Sequence, residues 1–553
     1  MAYRELVEKI GVGGGKYGWP AGASTRYKRL DAYERLLNGT IYEHLSSAFD
    51  VEKSSGNRYV PILERRPSIK YGLAKIVVDQ HAAMTFGEAH FPHVRCVSPL
   101  QDDQTEAQKV TEAACAALIR SMNLPAIMQS AVRKGSVGSA AIVAKIRDDG
   151  TPAADVVAGK NAKPKIGIDA DFSKLSGLDR IWNITGEDLV DFGYKVEKEN
   201  LDKTYWLRVY IDKTEWTWFL PMLDSKYRNI GEKDDQNNVI EWQEDVERSG
   251  EHGFGGESAP VVWMRNLVCG EDSLDGVCSF ESILDICIAC DYLLSQGARG
   301  LRYSMDPLLV LKTGEMGLAS LDLARQSTGT GEISKTTGVL PLMGEDSDAK
   351  LLEISGKGFE ASQEFFKKLR ELALESCGAI RSGDETSDGP QSGKAVELHH
   401  LLSVFFIERM RVCYGEDGLL PLLRILLSEL QSGQIDLKDG TDWSGIDLNT
   451  PLSLAWPAFR IPTGSDLLSE MTALQLAAGG SAKQPVVLLD PKLVSRLTAQ
   501  RFDLDDLASV SSDAAKVREE QEQQDAEAQQ QQHEQSIAAI QAKSATKKEE
   551  GAS

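Results

Sequence analysis

The chain has 553 residues, 42% of them apolar, with 83 acidic against 61 basic side chains and a formal charge of -22. That length accommodates several domains, or one elaborate domain with insertions, and the apolar content suffices for real cores. The acidity argues against tight, sequence-specific DNA binding, which needs a basic footprint.

The opening MAYRELVEKIGVGGGKYG is charged and has no apolar core of a signal peptide. No window approaches 18 uncharged apolar residues, so no membrane span is expected. Eight cysteines without secretory context read as reduced core thiols.

In chain order, residues 1–29, with glycines from Gly11 to Gly15, read as a flexible arm. Residues 30–278 read as a mixed α/β region. Helices are expected over Asp31–Phe49 (interrupted at Asn38-Gly39), Ile69–Met84, Thr105–Met122 and Ala126–Lys134, and strands over Phe91–Val97 and Ala140–Ile146. Tyr205–Ile211 and Glu215–Leu220 form a hairpin across Asp212–Thr214, and Val239–Val246 and Ala259–Met264 supply further strands.

Ser279 is read as the N-cap of a helix over Ser279–Gln296, with Glu281 in its first turn. Ile283, Ile286 and Leu293 belong to an apolar surface that runs nearly all round this helix. Burial on several sides is therefore expected, from neighbouring subunits or from a core position in a monomer. Arg299–Ser355 reads as a small α/β insert with Gly/Thr/Ser-rich loops. Residues 356–381 form an amphipathic helix in which Phe365, Phe366, Leu369, Leu372, Ala373 and Ile380 recur at helical spacing. The polar loop Ser382–Gln391 cannot prolong it. Ser392–Leu430 then reads as a helix of roughly 60 Å, at about 1.5 Å per residue, bent near Gly415, Gly418 and Pro421. Residues 433–464 return to strand-like sequence and 465–513 to helix. Residues 514–553 are Gln/Glu-rich and then Lys/Glu-rich, and read as disordered.

No motif supplies chemistry. Gly329–Thr336 (GTGEISKT) departs from a phosphate loop at Ser334, no apolar strand precedes it, and GVLPLM follows where a helix should start; it reads as a loop. The stretch GVGGGKY misses the leading glycine at Ile10. Cys287 and Cys290 lie in an apolar helix and read as core thiols. His90, His93 and Cys96 have spacing that could hold a metal, but positions three apart on a strand face opposite sides. His399 and His400 point apart on a helix. Asp102-Asp103 and Asp234-Asp235 read as solvated loop charge. Neither catalysis, nor a cofactor, nor a bound metal is expected.

The order over Lys357–Leu430 of amphipathic helix, polar loop and very long helix entered through Ser392-Gly393-Lys394-Ala395 resembles the portal proteins of tailed double-stranded DNA phages. Ala259–Asn266 (APVVWMRN) is similar to the strand before that family's first stem helix, Ser279–Gln296 to the helix, and Asp306–Gly314 to the first clip strand. The resemblance covers most of residues 30–515 and rests on the order of elements, not on an invariant motif. It implies an α+β, multidomain ring subunit. Its parts are a wing (30–278, with return strands 433–464), stem helices (279–298 and 356–381), a clip (299–355), a tunnel loop (382–391), a long kinked helix (392–432) and a crown (465–513). It further implies a homo-oligomer, a dodecamer at one capsid vertex, assembled in the host cytoplasm and carried in the virion. Double-stranded DNA would pass through it during packaging and ejection. The terminase large subunit, a head-tail adaptor and the major capsid or scaffolding protein would dock on it, and ATP hydrolysis would belong to the terminase. Arg381, Asp384, Glu385, Asp388 and Lys394 would line the channel with nearly cancelling charge, while Ile283, Ile286, Leu293, Phe365, Leu369 and Leu372 would pack the stem. The alternatives are another head-tail ring or adaptor, and a packaging ATPase, which a true Walker A followed by an acidic strand would support.

Overall fold

The computed structural model describes residues 2–12, 18–19, 23–96, 105–167, 172, 174–232, 239–256, 258–268, 273–305, 308–312, 348–352, 357–379, 401–457 and 459. All but Thr105 belong to one unit, Met1–Cys96 with Glu106–Phe459; a second unit of Val97–Thr105 and Arg460–Ser553 falls almost wholly outside the description. Also outside it are the expected tunnel loop with Arg381, Asp384, Glu385, Asp388 and Lys394, together with Ile380 and His399-His400. The same holds for most of the clip including Gly329–Thr336, the pairs Asp102-Asp103 and Asp234-Asp235, the crown and the tail.

The expected flexible arm begins instead as a helix, α1 (Ala2–Val12). Leu6 and Ile10, one turn apart, are buried, and the Tyr3 amide donates to Asp285 Oδ1 at 2.9 Å. Their spacing is a real amphipathic signal that the following glycines obscure. Helix α2 (Thr25–Leu37) starts before the expected boundary because the Ser24 hydroxyl accepts from the Tyr27 amide. It stops at Asn38-Gly39 as expected, but Thr40–His44 then form turns rather than resuming the helix, and bury Ile41 and Tyr42.

Short strands β1 (Ser47–Ala48) and β2 (Arg65–Arg66) pair in parallel, and α3 (Leu73–Phe86) follows. Strand β3 (His93–Arg95) leads to α4 (Glu106–Met122) and α5 (Leu124–Gly135), close to expectation. β4 (Ser139–Ile146) is the middle strand of a three-stranded antiparallel sheet, between β5 (Pro152–Ala158) and β11 (Val261–Arg265). Its run from Ser139 to Ala144 is buried without a break, as a strand covered on both faces must be.

A five-stranded antiparallel sheet stands beside it: β6 (Ala162–Lys165), β7 (Gly177–Thr185), β8 (Thr204–Ile211), β9 (Glu215–Leu223) and β10 (Gly250–Glu251). The β8–β9 hairpin forms as expected; Asp212 Oδ1 sets the turn by accepting from the Thr214 and Glu215 amides. Short helices α6 (Gly186–Asp191) and α7 (Asp224–Tyr227) decorate the sheet. The strand expected over Val239–Val246 is absent. That segment crosses β9 irregularly, through the Leu220 amide on the Gln243 carbonyl and an isolated bridge of Phe219 to Glu244. With Glu241, Glu244 and Asp245 in it and Val246 largely exposed, it has little apolar surface to hold in a ladder.

Helix α8 (Leu284–Met305) runs into β12 (Leu308–Lys312), which pairs antiparallel with β13 (Asp348–Leu352); α9 (Lys357–Ser376) follows. The long helix comprises α10 (Leu401–Met410), a π-helical stretch Arg411–Leu419, and α11 (Leu420–Gln431). Of the expected return strands only β14 (Ser453–Ala455), paired with β3, is a strand among the described residues. Upstream of it Asp436, Asp439, Asp442 and Asp447 each accept the amide two residues on, so side-chain turns replace a ladder. The fold is α+β. One core gathers α1, α2, α3, α8 and α9, and another lies between the two sheets.

Candidate functional site

The two helices expected to form a stem meet within this chain. Helices α8 and α9 pack against each other, with Ile283 buried and Ile286 and Leu369 resting on the same core. Leu293 is half-buried, whereas Phe365 and Leu372 are more than half exposed. Of the six residues expected to pack the stem, then, three meet in one core and two point to solvent.

Its own chain covers part of the apolar surface of α8 and the turn before it: Ile283, Cys287 and Ile288 are buried, while Leu284, Ile286, Ala289, Leu293 and Leu294 are half-buried. Tyr42 donates its hydroxyl to Asp291 at 2.8 Å, the Tyr71 amide donates to the same carboxylate at 2.6 Å, and the Tyr292 hydroxyl reaches the Arg65 carbonyl at 2.9 Å. Burial raises the Asp291 pKa above the usual carboxylate range. Ser279 does not cap α8. A 3-10 turn, Glu281–Ile283, intervenes, and the Ser279 hydroxyl accepts instead from the Asn266 side-chain amide at 2.9 Å.

Helix α9 ends in a Schellman-type turn: the Ala379 amide donates to the Leu374 carbonyl at 2.8 Å, with Gly378 at φ +60°. A Cβ on Gly378 would stand 2.9 Å from the Phe406 Cβ, so α9 ends directly against α10. His81 of α3 locks both, donating from Nε2 to the Cys377 carbonyl at 3.0 Å and stacking on Phe406 at 4.4 Å. The carbonyl can only accept, so Nε2 carries the proton. Burial drives the His81 pKa down to about 4 and keeps the ring neutral.

Near Gly415, Gly418 and Pro421, where a bend was expected, the helix carries the π-helical stretch Arg411–Leu419 and continues directly into α11. Cβ atoms at Gly415 and Gly418 would fall 2.5 Å from Trp456 and 2.8 Å from Met264, so neither side chain could be tolerated without movement. Tyr414 is fully buried and donates to Asn266 Oδ1 at 3.0 Å. The Asn266 amide nitrogen donates in turn to the Val277 carbonyl at 2.6 Å. Sequence reasoning missed this node, because its two side chains are 148 positions apart and neither carries a local pattern.

Outside the packed faces, Leu401, Leu402, Phe405 and Val412 stand exposed on the long helix.

Chemistry is sparse. A cavity of about 140 Å³ is lined by Arg29, Tyr33, Arg265, Asp275 and Glu281 among others. Its charges are already engaged: Asp275 accepts from Arg26 and Arg29, and Tyr33 donates to Glu281. Among the described residues no three His, Cys, Asp or Glu gather to hold a metal. His93 is exposed while Cys96 is buried, which separates that candidate set as its strand geometry dictates. Cys287 and Cys290 are buried, and burial pushes the Cys290 thiol up to about 12, so both remain protonated core groups at neutral pH. Among the described residues no helix is long and apolar enough to cross a membrane. No protein-family model and no curated protein matches the chain.

Proposed function

We propose that the chain is the subunit of a portal-type ring, through which double-stranded DNA enters and leaves a phage capsid. One observation carries the reading. Helices α8 and α9 lie packed as two legs joined through the β12–β13 strand pair, and the end of α9 abuts a long helix interrupted by a π-helical stretch. That is the stem, clip and kinked-helix order on which the resemblance rests. The exposed Phe365 and Leu372 of α9 and Leu401, Leu402, Phe405 and Val412 of the long helix are the faces that neighbouring subunits cover. Residues 381–394 take the tunnel-loop place, where Asp384, Glu385 and Asp388 against Arg381 and Lys394 touch phosphates weakly and let the duplex slide. The ring is passive; the terminase large subunit supplies ATP hydrolysis, and the head-tail adaptor and capsid or scaffolding protein dock outside the channel.

Mass photometry of the purified protein tests this. A discrete species many times the 60.5 kDa chain mass is expected, and Phe405→Asp or Leu372→Asp should shift it toward free subunits. A wild-type protein that stays at the chain mass at all concentrations contradicts the reading.

A further inference from the structure

Arg180 on β7 is a half-buried guanidinium without an acceptor. Its carbon lies 4.3 Å from the centre of the Trp182 ring, and Trp218 stands edge-on to that ring at 6.2 Å. Its Nε is buried and unpaired, and it makes no hydrogen bond or ion pair among the described residues. Asp155 is the carboxylate that acts on Arg180 through space, but Lys145 already holds it. Lys134 approaches from α5 with its ammonium on the Val156 carbonyl at 2.7 Å. Lys145 also lies over Trp216, 5.1 Å from the ring centre, and the Trp216 indole nitrogen is a second buried donor with no acceptor.

Three cations thus face two carboxylates, since Glu34 acts on Lys134 besides Asp155, a surplus of one positive charge in a chain whose formal charge is -22. A buried donor left unpaired costs about 1–3 kcal/mol. Of the Arg180 nitrogens only Nε is both buried and unpaired, so the two terminal nitrogens form the open end, which can take a carboxylate through two parallel bonds. The ligand is not a nucleic acid, because Arg180 and Lys145 already occupy faces of Trp182 and Trp216 on which bases would stack, and the small surplus of positive charge suits one carboxylate rather than a polyanion.

We propose that this notch receives an Asp or Glu side chain from a second copy of the chain, making Arg180 an intersubunit anchor. The inference rests on the ring reading. With 83 acidic residues per chain, each copy offers carboxylates to its neighbour, and a cationic notch meeting an acidic surface is the unlike-faced contact from which closed rings are built.

The test uses the full chain. Arg180→Gln should raise the concentration at which large species form by about tenfold and flatten their dependence on salt, with the melting temperature of free subunits unchanged. In a second variant, Arg180→Lys, a zero-length carbodiimide can couple the new amine to the carboxylate it meets. Mixing isotopically light and heavy subunits before coupling should yield mixed-label peptide pairs that join position 180 to an Asp or Glu. Coupling only within one chain, or assembly of Arg180→Gln indistinguishable from wild type, would overturn the anchor while leaving the ring reading intact. Wild-type protein that never assembles removes both. Nucleic acid that co-purifies with wild type and is lost from Arg180→Gln would also contradict the proposal.

Discussion

The Tyr414 hydroxyl donates to the Asn266 side-chain oxygen across 3.0 Å, tying the π-helical stretch of the long helix to the turn that follows β11. Asn266 also reaches Ser279 and Val277, so one buried amide fixes the long helix against both the three-stranded sheet and the approach to α8. Tyr414→Phe leaves the Asn266 oxygen without a donor and should cost about 1–3 kcal/mol in urea unfolding. Gly135→Ala should cost more, since its Cβ would lie 2.3 Å from the Tyr414 hydroxyl oxygen. Wild-type stability in Tyr414→Phe would show that the node does not hold the helix.

Apolar residues around α8, on α9 and on the long helix should separate into two classes. Ile283 is fully buried, so Ile283→Ala should lose about 2–5 kcal/mol of folding stability. Phe405→Asp and Leu372→Asp touch exposed positions and should leave the melting temperature within a few degrees of wild type while lowering assembly. Equal thermal damage in both classes would contradict the division between core and contact face.

His81 gives a pH dependence of defined sign. Its folded pKa of about 4 lies below the ordinary 6.5, because burial disfavours the charged ring. The unfolded chain therefore binds the proton first as pH falls. The contribution to stability is complete above pH 6.5, declines as pH falls from 6.5 to about 4, and is gone below, a change of about 3 kcal/mol in all. His81→Gln offers a donor to the Cys377 carbonyl without titrating. Comparing urea midpoints at pH 7 and pH 4.5 should show a smaller loss in the variant, and equal losses would mean that His81 does not titrate with unfolding.

The purified protein should not turn over ATP, and Lys335→Ala should leave nucleotide binding unchanged, because the near-match at Gly329–Thr336 lacks the flanking strand and helix of a phosphate loop. Turnover that depends on Lys335 would move the protein into another class.

Elements with strong local patterns were legible in the sequence. The β8–β9 hairpin, the strand β4 and the helices α4 and α5 all follow from residue spacing or turn chemistry. Where a pattern was short or its neighbours misleading, reading failed: Leu6 and Ile10 beside the Gly11–Gly15 run, and the Asp-rich stretch from Asp436 to Asp447 whose carboxylates turn the backbone on themselves. At the candidate site Ile283 and Leu369 were readable as apolar positions in helices, but which faces stay open was not. Phe365 and Leu369 belong to the same amphipathic pattern, and only the packing of α9 on α8 decides that one is covered and the other is not. The Tyr414–Asn266 bond and the open Arg180 edge are products of long-range placement, on which local sequence is silent.

Cryo-electron microscopy of the purified full chain tests the central claim most directly. Class averages should show closed rings of rotational symmetry around a central hole wide enough for a DNA duplex. Compact particles without rotational symmetry, at concentrations where the protein is fully folded, would contradict it.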